Sequence, residues 1–249
     1  MARTEFDHDR FEEAYPPGIE RSWWQRARNA VIAQAFRKYV PRNARVMEIG
    51  CGTGIVTAHL REQGWNVTGV ELGTPSAGLR APEHLLLGQD ALALPLDVRE
   101  RINVLCSYDV IEHIEDAPAF LKGLAGGFPN ASTLVVTVPA RTELWTTFDD
   151  HFGHFRRYDR ALLARHFAEG GWQTLSNEYF FHGLYPAILL NNMVRGRQRA
   201  LRFEAPAPGP ASAVNALLGR MFAAEHALLP GALHGTSLIG VAARTPSNS

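Results

Sequence analysis

The sequence predicts an α/β domain in which helices wind over both faces of a largely parallel sheet. Three observations carry this. Short apolar runs alternate with helical patterns from residue 44 to residue 180, the way parallel strands and their crossover helices are written in a chain. A glycine-rich turn separates the first run from the helix after it. The 249 residues, 46% apolar and 20% charged, suffice for a full core and lack the bias of a disordered chain.

The elements follow in order. "SWWQRARNAVIAQAFRKYV" (22–40) reads as a helix with Ser22 as N-cap, and Pro41 ends it. Trp24, Ala27, Arg28, Val31, Ile32, Ala35 and Phe36 share one face, which Arg28 interrupts with a charge. "ARVMEIGCGTGIVTAHLREQG" is strand, glycine turn and a helix closed by Gly64; "WNVTGVEL" is the second strand and "EHLLLGQDA" the third. "RINVLCSYDVIEHI" supplies the fourth strand, "APAFLKGLAGG" a helix, "STLVVTVPA" the fifth strand and "RALLARHFAEGGW" another helix. "QTLSNEYFF" and "GTSLIGVAART" read as sixth and seventh strands, separated by two helical stretches around the linker "EAPAPGPAS". This divides the chain into an N-terminal helical lid (1–41), a sheet domain (42–182 with 235–249) and a helical cap inserted at 183–234.

Charge narrows the function. With 25 Lys and Arg against 25 Asp and Glu, the net charge is zero and the pI about 7.2, whereas a dedicated nucleic-acid binder usually shows a basic excess. Two cysteines, Cys51 and Cys106, are too few for a disulfide framework and fit a reducing, cytoplasmic setting. "MARTEFDHDR" lacks the apolar core of a signal peptide, and "GLYPAILL" is far too short for a membrane span.

"EIGCGTG" (48–54) is the strongest motif. Gly50, Gly52 and Gly54 let the backbone turn sharply and approach a ligand closely, and the next helix offers its N-terminus. A dinucleotide fingerprint would carry its third glycine one position later, where Ile55 stands. Glu48 at the strand end is an awkward neighbour for a pyrophosphate and a suitable one for an ammonium.

"VMEIGCGTG" resembles the first motif of the class I S-adenosylmethionine-dependent methyltransferases, and the resemblance extends over residues 44–180. It implies a Rossmann-like, seven-stranded, mostly parallel sheet with an antiparallel last strand. It also implies S-adenosylmethionine as cofactor, held by the turn with Cys51 within it. Glu71, followed by Leu72, stands where the family's acid binds the ribose hydroxyls, and Asp90 with Ala91 where a pair borders the adenine. Tyr108 and Asp109 end the fourth strand, near the methyl donor in the family. The chain has no Asn-Pro-Pro-Tyr stretch and no Pro-Cys pair of the nucleic-acid enzymes, and "VIEHIED" with "LVVTVPA" resembles the bacterial type 11 and type 12 groups. The acceptor implied is a small molecule, methylated on oxygen or nitrogen. Outside this class stand a noncatalytic cofactor-binding or interaction module and a nicotinamide-dependent oxidoreductase.

"FDDHFGHFRRYD" (148–159) follows the fifth strand, where a doubly wound sheet places ligands. Its Gly153–Tyr158 stretch resembles one common in the bacterial group. Three readings stand open. His151 and His154 with Asp149 or Asp150 can ligate zinc or manganese. Arg156 or Arg157 can pair with Asp149, Asp159 or Glu112 for structure alone. Or the loop positions substrate through Arg156, Arg157 and Tyr158, with His154, then His151, then His113 as the base that takes the acceptor's proton and no metal involved. Trp24 and Arg28, four apart on one helix, offer an aromatic wall and a fork for a carboxylate of cofactor or substrate; a surface ion pair is the alternative for Arg28. In the insertion, Val214, Leu217, Leu218, Met221 and Leu228 form an apolar face beside Arg195, Arg197, Arg199 and Arg202. That combination suits a cap over the acceptor, a homodimer contact or a membrane surface, all within 184–230.

Overall fold

The computed structural model describes residues 13–199, 204–207 and 209–245. The first twelve residues of the expected lid, Arg202 of the basic cluster and Pro208 of the linker lie outside the described residues. Ser22 caps α1 (Trp23–Tyr39), its hydroxyl accepting the Gln25 amide at 3.3 Å. The chain then enters β1 (Arg45–Ile49), the glycine turn, α2 (Ile55–Glu62) and β2 (Asn66–Glu71). β3 (Leu85–Leu87) is shorter than the sequence suggests, because a 3₁₀ turn at Pro82–His84 and the left-handed Gly88 bound its apolar run.

A single turn of helix, α3 (Leu96–Arg99), precedes β4 (Val104–Tyr108), and α4 (Ala117–Gly127) leads to β5 (Thr133–Pro139). Next come α5 (Thr147–His151), α6 (Arg160–Glu169) and β6 (Trp172–Phe180). α7 (Leu184–Arg195) and α8 (Pro210–Leu228) form the insertion before β7 (Ser237–Arg244). Among the described residues the sheet has seven strands in the order β3-β2-β1-β4-β5-β7-β6. β7 runs antiparallel to both its neighbours and the remaining pairs are parallel, as the resemblance implies.

Strand alternation splits the core into two layers. Met47, Leu105, Leu134 and Val136 face Leu121 and Leu124 of α4 and Leu163 and Phe167 of α6. Val46, Cys106, Val135 and Val241 face Val31, Ile32 and Phe36 of α1 and Val56 and Leu60 of α2. Both cysteines are buried and free.

α8 lies on α1. The Trp23 and Phe222 rings are 5.0 Å apart, and the Asn215 side chain accepts the Trp23 amide at 2.9 Å. Gly219 permits this approach, since a methyl group there would sit 2.8 Å from Arg26 Cβ. α7 has no buried residue, and Leu190, Met193, Val194, Val214, Leu217 and Met221 stay exposed on the insertion. Among the described residues no helix is long and apolar enough to cross a membrane.

The order reverses between β1 and β4, so the glycine turn and the end of β4 open side by side at the carboxyl edge. That edge depends on β4 being packed on both faces. Leu105→Ala, at a fully buried position, should cost about 2–5 kcal/mol in urea unfolding.

Candidate active site

Gly50, Gly52 and Gly54 all adopt positive φ, and the amides of Gly50 and Cys51 donate to the Val70 carbonyl at 2.9 and 3.2 Å. All three are also demanded by space, a Cβ on Gly50 lying 2.5 Å from Val110 Cγ2. A Cβ on Gly54 would lie 2.5 Å from the Arg80 carbonyl oxygen, and one on Gly52 would lie 3.2 Å from the Tyr15 ring. Tyr15 thus covers the turn, and burial pushes its phenol well above the ordinary range against the opposing charge of Arg28. Sequence reasoning missed Tyr15.

At the end of β2, the Glu71 carboxylate accepts the Gly52 amide and the Gly73 amide, each at 2.9 Å. It therefore braces the turn while keeping lone pairs for another donor. Glu48 is buried and accepts from the Thr57 hydroxyl. Burial pushes its carboxyl up to about 7, with the Thr57 hydrogen bond pulling the other way. Asp90 accepts the Leu92 amide at 2.9 Å beside the buried Ala91, and Leu72 is about one-third exposed, at 37%.

The charge that interrupts α1 is buried. Arg28 donates to Asp109 at the end of β4 and to Gln25 at 2.9 Å, and its guanidinium lies 4.6 Å from the centre of the Trp24 ring. It is 5% exposed, which removes the surface ion pair as a description of it. Its Nε is buried without a hydrogen-bond partner among the described residues. Asp109 has φ of +55°, a left-handed conformation that Asp tolerates better than most residues, and its amide donates to the Thr137 carbonyl at 2.9 Å. Tyr108 packs beneath α1 in the core, where burial pushes its phenol up.

The stretch 148–159 begins as a helix, α5, where the sequence suggests a loop. Asp149 closes that helix start by accepting the Thr146 amide at 2.8 Å. Fully buried, the same carboxylate accepts Nε and Nη2 of Arg157 at 2.7 and 3.0 Å and bonds Nδ1 of His154 at 2.9 Å. Burial would raise its pKa, but the hydrogen bonds from His154 and Arg157 outweigh that and hold the carboxyl far below the usual range. Tyr158 is fully buried, its hydroxyl reaching the Ile111 carbonyl at 3.4 Å, and Arg156 donates to the Glu115 carbonyl at 2.7 Å.

His151 is turned elsewhere, with Nε2 2.8 Å from Glu13, and Asp150 accepts from the Trp145 indole at 2.8 Å. The set His151, His154 and Asp149 or Asp150 does not converge. The set that does is Glu112, His113 and His154, whose ligand-type atoms lie within 4.8 Å of one another, with the two imidazole rings 4.6 Å apart. Glu112 was legible only as a pairing partner for arginine. Arg199 of the insertion was also missed as a neighbour of this loop: its guanidinium lies 4.6 Å from the centre of the Phe148 ring.

Residues 22–177, more than half of the chain, match the family described as a methyltransferase domain. The chain belongs to that family. Its fold is the Rossmann-like fold of solved S-adenosylmethionine-dependent methyltransferases. The ubiquinone biosynthesis O-methyltransferase of Rhodopseudomonas palustris (strain BisB5) is 30% identical over 112 residues, 42% of each chain. That of Bradyrhizobium diazoefficiens is 31% identical over 112 residues, again 42% of each. The methyltransferase thus spans under half the length of these curated relatives. Among solved structures it is similar to a chain of the Haloferax volcanii complex between the Trm112 activator and a methyltransferase. That pair has a TM-score of 0.55 and 16% identity, with 93% of both chains covered. It is also similar to Synechocystis PCC 6803 magnesium protoporphyrin IX methyltransferase with bound S-adenosylhomocysteine, with a TM-score of 0.52, 16% identity, and 92% of this chain and 85% of that one covered. The glycine turn is packed by Val110, Tyr15 and the Arg80 carbonyl, and two buried acids, Glu48 and Glu71, flank it.

Asp149 ties this site to stability. Its pKa is lower folded than unfolded, so its contribution is complete above the ordinary carboxylate value near 3.8 and fades as pH falls below it. Asp149→Ala strands the buried Arg157 and should cost about 3–5 kcal/mol in urea unfolding at pH 7, with the difference from the parent shrinking in acid.

Proposed function

We propose that this protein moves a methyl group from S-adenosylmethionine to an oxygen or nitrogen of a small-molecule acceptor that lies against His154. The observation that carries this reading is the His154–Asp149 pair, set on the β5 side of the cleft opposite the glycine turn. Asp149 occupies Nδ1, which leaves Nε2 as the nitrogen with a lone pair to offer an acceptor. Bound in the cleft, the cofactor supplies an electrophilic methyl on a sulfonium. Glu71 holds its ribose side, and Glu48 lies on the side of its charged amino-acid end. Leu72, Asp90 and Ala91 border the base.

Residues 13–41 and the insertion pack on each other and both reach the acceptor loop. Glu13 reaches His151 at 2.8 Å, and the Arg197 carbonyl accepts the Thr147 amide at 3.0 Å, so both segments touch α5. The ubiquinone biosynthesis O-methyltransferase relatives favour oxygen as the methylated atom.

Two measurements test the two halves. Glu71→Ala should weaken S-adenosylhomocysteine binding about tenfold or more in calorimetry, from the lost charge-assisted hydrogen bonds. An affinity equal to the parent's would remove Glu71 from the cofactor site. His154→Ala should lower turnover by about two to four orders of magnitude while cofactor affinity barely moves. Near-parent turnover across pH 6–9 would dismiss His154 and leave His113 next.

A further inference from the structure

A cavity of about 430 Å³ lies outside the cleft, enclosed by α1, α2, α8 and the loop before β3. Val56 and Leu60 turn one face of α2 to the sheet, while Ala58, His59 and Glu62 line the cavity. α1 divides in the same way, with Val31 and Ile32 in the core and Arg26, Asn29 and Ala30 on the cavity. The insertion completes the enclosure through Gly219, Arg220 and Ala223 of α8.

The lining is biased in charge. Arg21, Arg26, Arg80 and Arg220 meet only two acids there, Glu20 and Glu62. Glu20 is already shared, lying 3.5 Å from Arg21 and 3.4 Å from Arg80, and Glu62 is exposed to water. Arg26 donates through Nε to the Arg21 carbonyl at 2.9 Å, and neither it nor Arg220 has an acid partner among the described residues. Three polar atoms of lining residues are buried without a hydrogen-bond partner among the described residues: Arg21 Nε, Asn29 Oδ1 and His59 Nε2. Asn29 is 6% exposed. A buried amide oxygen left without a donor is destabilising, so such atoms are normally satisfied by water or a ligand.

These groups specify a ligand. Guanidiniums present forked donors that match phosphate oxygens. Asn29 Oδ1 is an acceptor and needs an O–H or N–H, which a bare phosphate dianion does not offer. Between them the small side chains of Ala30, Ala58, Ala216 and Ala223 leave space for a body. Arg80 also joins the cavity to the glycine turn. Its amide donates to the Thr53 carbonyl at 2.8 Å, and its own carbonyl oxygen would meet a Cβ on Gly54 at 2.5 Å.

We propose that this cavity is a second small-molecule site, taking a hydroxylated phosphate monoester, and that its occupancy strengthens cofactor binding by holding Arg80 against the glycine turn. The phosphate lies on Arg26 and Arg220, with Arg21 and Arg80 reaching it from beside Glu20, and a hydroxyl of the ligand donates to Asn29. The site stands on the cavity alone; its effect on the cofactor rests on the methyl-transfer reading. Linkage makes the effect reciprocal, so the cofactor tightens the ester by the same factor.

Full-length protein in low-salt buffer is titrated in a calorimeter with inorganic phosphate, ribose and ribose 5-phosphate, and with S-adenosylhomocysteine in the presence and absence of saturating ribose 5-phosphate. One ribose 5-phosphate per chain is expected, bound at least about tenfold tighter than inorganic phosphate, with no measurable binding of ribose. Arg220→Gln, at an exposed position, should weaken the ester at least about fivefold, while the exposed Arg101→Gln, outside the cavity, leaves it unchanged. The ester should tighten S-adenosylhomocysteine at least about fivefold in the parent. In Arg220→Gln, cofactor affinity without the ester should equal the parent's. Absence of saturable ester binding, or equal binding by the parent and Arg220→Gln, overturns the site whatever the cofactor does. An ester no tighter than inorganic phosphate overturns the role of Asn29, and ester binding that leaves S-adenosylhomocysteine affinity unchanged overturns the link between the sites. A parent that takes up the ester but no S-adenosylhomocysteine removes the methyltransferase reading and leaves the second site standing.

Discussion

The acceptor side of this protein hangs on one carboxylate. Asp149 is fully buried, and five donors from three residues take water's place: the Thr146 amide and hydroxyl, two nitrogens of Arg157 and one of His154. Each would be costly to bury alone, and together they satisfy one another. The same atoms start α5, seat the loop beneath the β5 end and aim an imidazole. Structure and chemistry are therefore one arrangement here, and the choice posed by the sequence between a structural arginine pair and a positioned histidine dissolves, because Asp149 makes both.

A second buried pair does the corresponding work on the other side. Arg28 reaches from α1 to Asp109, which stands at the end of β4 in a left-handed conformation. This holds the N-terminal helix across the cleft, with Tyr15 over the glycine turn. Asp109 lies between the cofactor cradle and the Glu112 cluster, three residues from the latter along the chain. The cleft thus has a cofactor half built on β1 and β2 and an acceptor half built on β4 and β5, sharing one edge.

What could be read from the sequence was what short-range chemistry dictates. The glycine spacing of "EIGCGTG", the Ser22 cap and the alternation of strands and helices each depend on neighbours within a few positions, and each took the expected form. Pairings across long separations left no such trace. Arg28 and Asp109 are 81 positions apart: its place on the apolar helix face sets Arg28 toward the interior, but nothing local names Asp109 as its partner. Glu112 in "VIEHIED" is legible only as a partner for an arginine until the fold buries it. "FDDHFGHFRRYD" announced that something happens there by its density of charge and aromatics, but which histidine pairs with which acid depends on backbone geometry. His151 and His154, three apart, point to opposite partners, Glu13 and Asp149.

The place of β7 has a consequence for how this chain is made. It pairs with β5 through seven positions and with β6 through eight, yet it follows both in sequence, with the whole of α7 and α8 in between. During synthesis β5 and β6 cannot pair with each other in their native places. Each keeps an open row of amides and carbonyls until Ser237–Arg244 has left the ribosome. A nascent chain exposes two apolar strand edges for the time taken to translate more than fifty residues, and sheet closure is a late, long-range event. The insertion therefore sets a waiting time for the sheet, and lengthening it extends the interval in which a chaperone or a neighbouring chain can occupy the gap first.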